Sequence, residues 1–177
     1  MTSTRFPAED IEASAIDWSV AVLTRYQELV REGEFTESHR RHLRDILSSV
    51  VWYWGGKGRH KYLGVGVWSE AALDSYRRHG KVVTSKGAND SLVHEHVMPR
   101  RAVVDALLEI AEVTPESVRA LLTDLAIVAV VTVAEHDRLD DQIVDPADPW
   151  KRYRAAKIPV VTGPAVIDVL GDDADLS

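Results

Sequence analysis

The sequence predicts a mostly helical α+β fold with a small β-sheet, and three observations lead to this prediction. Long stretches of the first half carry apolar residues at helical spacing, as at Ile11, Ala15, Trp18 and Val22. Two later β-branched runs are short and are typical of strands. With 177 residues, of which 45% are hydrophobic, the chain is long enough to bury one globular core.

Start and stop signals define the individual elements. Thr36 and Ser69 are suitable N-cap residues, and Thr114 precedes Pro115, which suits the first position of a helix. The predicted helices cover residues 8–33, 36–54, 68–79, 103–110, 114–122, a short helix starting near Glu135, and 150–156. The predicted strands cover 92–98, 127–133 and 158–161, with a candidate short strand at 82–83 inside the polar loop 81–90.

Charge and composition limit the classes of function. The net charge is −7, yet residues 39–101 hold 12 Lys/Arg against 5 Asp/Glu, whereas the rest holds 9 against 23. Such a basic segment can bind phosphates, although charge asymmetry of this size is common among soluble proteins. Because the chain has no cysteine, disulfides and thiolate zinc sites are excluded. The longest apolar run, 125–131, is too short to span a bilayer and no signal-peptide pattern is visible, so we expect no membrane association and a cytoplasmic location.

The most informative segment is the predicted strand that contains His94, Glu95 and His96. Alternate residues of a strand share a face, so the two imidazoles would point one way and the carboxylate the other. Two imidazoles beside a carboxylate can bind a divalent metal or activate a water. The alternative is a half-buried strand whose polar residues happen to be His and Glu.

Two motifs resemble the HNH, or His-Me finger, endonuclease superfamily. The string Glu95-His96-Val97-Met98-Pro99 is similar to the acidic-His-x-x-Pro string that ends the first strand in that family, and residues 131–136 resemble the strand-then-Glu-His entry to its helix. The resemblance implies a ββα-metal-like part at 90–142, a divalent metal (Mg²⁺ or Mn²⁺, with Zn²⁺ as an alternative) and hydrolysis of phosphodiester bonds in DNA. We therefore expect one globular domain over 1–163, with a helical N-terminal part at 8–80 and an acidic flexible tail at 164–177.

The resemblance also implies roles for particular residues. His96 would be the general base, and Arg100 would hold the scissile phosphate as the second catalytic residue. Glu95 and His136 would be metal ligands, and His94 would either be a further ligand or support a strand hydrogen bond. The candidate nucleic-acid-binding residues are Arg40, Arg41, Arg44, Lys57, Arg59, Arg101 and Arg154.

Three hypotheses about function remain open from the sequence. The first is a metal-dependent HNH-like nuclease that acts on DNA in phage biology or bacterial defence. The second is a non-catalytic nucleic-acid or protein-binding module with a decayed His-Me core. The third is a helical structural or regulatory protein whose His-Glu-His segment only fills a strand. DNA is the expected partner of a nuclease, and a homodimer is left open. Geometry discriminates between these hypotheses, because a nuclease needs His96 and His136 close together and open to solvent.

Overall fold

The computed structural model describes residues 8–55, 62, 65–85 and 88–163. The described helices are α1 (Ala8–Glu32), α2 (Glu37–Gly55), α3 (Glu70–His79), α4 (Arg100–Leu108), α5 (Pro115–Leu125), α6 (Val133–Asp140) and α7 (Lys151–Ala155). The described strands are β1 (Val67–Ser69), β2 (Leu92–His96), β3 (Val128–Thr132) and β4 (Val160–Thr162). This combination confirms the predicted α+β class. The predicted tail at 164–177 lies outside the described residues, and no described helix is long and apolar enough to cross a membrane.

The chain forms two compact units, and each unit is built from two separate stretches of sequence. The first unit lies within Met1–Lys57 and Met98–Ile127 and contains α1, α2, α4 and α5. The second unit lies within Gly58–Val97 and Val128–Ser177 and contains the four strands together with α3, α6 and α7. The two helices between β2 and β3 therefore belong to the helical unit and not to the unit that holds the sheet.

The first unit is a helical unit whose elements begin where their caps predict. The His39 backbone N–H donates to Thr36 Oγ1 over 3.3 Å at the start of α2. Thr114 and Ser117 form a reciprocal capping box at the start of α5, with Pro115 in the first turn. The core that these helices share includes Ile16, Leu23, Leu47, Val51, Met98, Val103, Leu107, Val118 and Leu122.

Helix α4 begins three residues earlier than its hydrophobic spacing predicts. We expected a helix over 103–110, whereas the structure starts it at Arg100, directly after Pro99. The first turn carries two arginines and no large apolar side chain, so periodicity could not detect it. As a result, Arg100 and Arg101 lie on a helix and not in the turn that precedes one.

The second unit contains a mixed four-stranded sheet in the order β2-β3-β1-β4. β3 pairs antiparallel with β2 and parallel with β1, and all five of its residues are buried, as expected for a central strand. β1 was missed, because we assigned Trp68 to the start of a helix. A three-residue strand has too short a pattern to detect, and it forms only by pairing with distant residues, as Trp68 does with Val130. The candidate strand at 82–83 is not a strand; the Leu92 backbone N–H donates to Val83 O over 2.7 Å.

Replacing Leu47 with alanine tests the core of the helical unit. Leu47 is fully buried, so Leu47→Ala should lower the free energy of unfolding by about 2–5 kcal/mol. The neighbouring Ile46 is 43% exposed, so Ile46→Ala should change it by less than about 1 kcal/mol. Urea denaturation followed by circular dichroism measures both values, and similar losses for the two variants would contradict the burial of Leu47.

Candidate functional site

Strand β2 alternates strictly between its two faces. Leu92, His94 and His96 are buried, whereas Val93 and Glu95 are only partly buried. The pairing with β3 runs without interruption from Leu92↔Thr132 to His96↔Val128, so no bulge re-aims a side chain. The expectation from the strand period therefore holds: the two histidines share one face, and Glu95 lies on the other.

The two histidines of β2 belong to the packed interior of their unit. The rings of His94 and His96 lie edge to face with centroids 6.0 Å apart, and the Tyr62 ring lies 6.3 Å from that of His94. His96 is only 6% exposed. The structure therefore does not bring the predicted general base together with Glu95, which is on the opposite face. Arg100, the other predicted catalytic residue, belongs to the first unit, whereas His96 belongs to the second.

Glu95 and His136 do come together, as the sequence predicted for two ligands that are distant in the chain. His136 lies in the first turns of α6, and its Nε2 is 3.2 Å from Glu95 Oε2. The other ring nitrogen, Nδ1, is 3.5 Å from Asp140 Oδ2, one helical turn further on. His136 is thus placed between two carboxylates, and its side chain remains 31% exposed.

Arg152 contacts the carboxylate oxygen of Glu95 that His136 does not contact. The sequence did not identify this arginine as a site residue. Its Nη2 contacts Glu95 Oε1 and also donates to His96 O over 2.5 Å, while its Nε donates to Val97 O over 2.9 Å. Only 4% of the Arg152 side chain is exposed. Arg154, two residues further along α7, is exposed, whereas Arg152 is buried. A buried arginine has no periodic signal, because only its distant partners make burial favourable.

Both carboxylate oxygens of Glu95 have partners within the second unit. One carboxylate oxygen contacts the Arg152 guanidinium and the other contacts His136, whose second nitrogen faces Asp140. Within the part of the chain that the structure describes, no group of three or more His, Asp or Glu side chains could hold a metal ion. The positive charge beside Glu95 comes from an arginine, and His94, the third predicted ligand, lies on the other face of β2 with His96.

A second carboxylate, Glu135, links the starts of two helices. Its Oε2 accepts hydrogen bonds from the backbone N–H and the hydroxyl of Thr132, over 2.9 and 3.1 Å, and from the Ser69 hydroxyl over 2.5 Å. Thr132 is the N-cap of α6, and Ser69 is the N-cap of α3, where it accepts from the Ala72 backbone N–H. Glu135 is 3% exposed and forms a reciprocal capping box with Thr132 at the start of α6.

Tyr153 lies beside the Arg152–Glu95 pair and is almost fully buried. Burial, followed by the charge of Glu95, raises the pKa of the Tyr153 phenol far above its usual range, although Arg152 opposes this shift. The phenol therefore stays protonated at physiological pH. Its ring packs edge to face with that of Trp150, the N-cap residue of α7, with centroids 5.2 Å apart, so this contact lies within the start of α7.

The first unit contains a separate basic feature, which we call the arginine cleft. It is an open cleft of about 720 Å³ between residues of α2 and α4, and it is lined by Glu37, Arg40, Arg44, Asp45, Ser48, Arg100, Arg101 and Val104. Arg44 is paired with Asp105, and Arg40 lies 3.3 Å from Glu37. Arg100 and Arg101 form no ion pair with any residue that the structure describes, and Arg100 stacks over the Trp52 ring at 5.1 Å.

The other predicted nucleic-acid-binding residues lie elsewhere. Arg41 is exposed on α2 but does not line the arginine cleft. Arg154 is exposed on the second unit and contacts Asp148. Lys57 and Arg59 lie outside the described residues. Of the seven predicted residues, the structure therefore brings Arg40, Arg44 and Arg101 into one cleft.

Comparison with protein-family models, with curated proteins and with solved structures found no match for this chain. The functional interpretation consequently depends on the geometry of the two units themselves.

Arg152→Ala tests whether the buried ion pair organises the second unit. Removing the guanidinium leaves Glu95 and the carbonyls of His96 and Val97 without their donor, so the free energy of unfolding should fall by about 3–5 kcal/mol. The matched control is Arg154→Ala, two residues further along α7, which should cost less than about 1 kcal/mol because its ion pair is exposed. Chemical denaturation measures both losses; equal values would show that Arg152 has no special structural role.

Proposed function

We propose that this protein binds nucleic acid through the arginine cleft, and that its ββα-like elements β2, β3 and α6 form a scaffold without a nuclease centre. The observation that carries the proposal is that four arginines line one open cleft, two of them without an acidic partner among the described residues. An arginine fork matches phosphate geometry, and phosphate contacts supply most of the affinity of sequence-independent binding. The local charge favours this partner even though the whole chain carries −7.

The second unit supports the scaffold interpretation. A hydrolytic centre of the His-Me type would need the His96 side chain beside Glu95, and regular strand geometry puts them on opposite faces. The Glu95 carboxylate is also already paired with Arg152 and His136. This pattern is that of a satisfied ionic network, and such networks rigidify the elements that contribute to them.

Salt dependence tests the arginine cleft. Binding of labelled DNA, measured by fluorescence anisotropy, should weaken steeply with salt, and the double variant Arg100→Gln/Arg101→Gln should lower the log–log slope by about 0.9 for each lost duplex phosphate contact. The control is Arg31→Gln/Arg119→Gln, which makes the same change in net charge at exposed positions of the same unit outside the cleft. If both double variants have the same affinity and slope, the arginine cleft is not the binding surface.

A metal-dependent nuclease is the second candidate function, and it is favoured by the 3.2 Å approach of His136 to Glu95. On that interpretation, a divalent cation would displace Arg152 from Glu95. The two candidates therefore differ in a measurable property, which is metal binding that depends on His136.

Isothermal titration with Mn²⁺ and Zn²⁺ separates the two candidates. The scaffold interpretation predicts the same heats for the native protein, for His136→Ala and for the control His79→Ala. This control removes a histidine that contacts Asp90 and not Glu95. The nuclease interpretation predicts metal binding that His136→Ala abolishes. It also predicts cleavage of DNA that His96→Ala slows about 10²–10⁴-fold. Either result would overturn the scaffold interpretation.

A further inference from the structure

One row of side chains on α2 connects the arginine cleft to an aromatic ring. Arg40, Arg44, Ser48 and Trp52 follow each other at intervals of four residues, and the first three line the cleft. Residues four apart are neighbours on a helix surface, so this row extends over about 18 Å at 1.5 Å per residue. Trp52 lies one turn beyond the residues of α2 that line the cleft.

Trp52 is more exposed than the two nearby core residues of α2, Val51 and Trp54. Val51 and Trp54 are in the core of the first unit, with 0% and 6% exposure, whereas Trp52 is 38% exposed. Arg100, which also lines the cleft, covers the Trp52 ring with its guanidinium carbon 5.1 Å from the ring centroid. A planar cation therefore lies over an indole ring at the edge of the arginine cleft, and both kinds of group can stack on the face of a nucleobase.

We infer that the nucleic acid bound by the arginine cleft is single-stranded, with an unpaired base stacking on the Trp52–Arg100 pair while the arginines along α2 contact the backbone. This inference rests on the proposed function. Arginine contacts to phosphates alone do not distinguish single strands from duplexes, because both have the same backbone groups. An aromatic platform does distinguish them, because the bases of a duplex are already stacked on one another and their faces are inaccessible.

The experiment compares a labelled DNA single strand with a duplex of equal length by fluorescence anisotropy. The native protein should bind the single strand more tightly. Trp52→Ala should weaken single-strand binding about 5- to 150-fold, which is the range for loss of one stacked base, and should leave duplex binding unchanged. Trp52→Phe, which keeps a smaller ring, should have an intermediate affinity and supplies the test if circular dichroism shows that Trp52→Ala is unfolded.

Two comparisons distinguish the loss of base stacking from the loss of positive charge and from the loss of any exposed aromatic side chain. Tyr53→Ala removes the adjacent aromatic residue, which is 64% exposed and lies off the row, and should have no effect on single-strand binding. Arg100→Lys keeps the charge but loses the planar group and should reduce the preference for the single strand, whereas Arg101→Lys should not.

The possible negative binding results distinguish failure of the single-strand inference from failure of the proposed nucleic-acid binding. If duplex and single strand bind equally well and Trp52→Ala has native affinity for both, the inference is wrong while the proposed function stands. If neither nucleic acid binds at low salt, both are wrong. If Tyr53→Ala and Trp52→Ala weaken single-strand binding equally, the Trp52–Arg100 pair is not the specific platform.

Discussion

The two-residue period of β2 is the constraint on which the rest of the second unit depends. Because β2 pairs with β3 without a bulge, adjacent residues must face opposite sides of the sheet. His96 is therefore packed with His94, while Glu95 is directed toward α6 and α7, where His136 and Arg152 contact it. A motif that is contiguous in sequence is therefore divided between a buried face, which carries His94 and His96, and the opposite face, on which Glu95 contacts His136 and Arg152.

Buried charges in the second unit are compensated locally. Glu135 accepts three hydrogen bonds that join the caps of α3 and α6, and Arg152 is held by one carboxylate and two backbone carbonyls. A buried ion that lost such partners would be strongly destabilising, so each network fixes the elements that contribute to it. The parallel strands β1 and β3 end at the two helix caps that Glu135 connects, which explains why a strand of three residues persists there.

The arginine cleft has a different electrostatic character. Its cations lie at an open surface, and those from the first turn of α4 have no acidic partners within the described chain. Charge that is compensated organises structure, whereas charge that is exposed and uncompensated attracts a ligand of opposite sign. This contrast is the physical reason why we propose a structural role for the group of Glu95, His136 and Arg152 and a binding role for the arginine cleft.

The sequence by itself determined the α+β class, most helix starts and the alternation within β2, because caps and periodicity are local properties. It also identified Glu95 and His136 as residues that would meet. Tertiary structure alone decided that Arg152 is buried against Glu95, that Trp68 is in a strand and that Arg100 and Arg101 join Arg40 and Arg44 in one cleft. Each of these depends on contacts between residues far apart in the chain, and the free energy of such contacts outweighs the local preferences that a sequence pattern records.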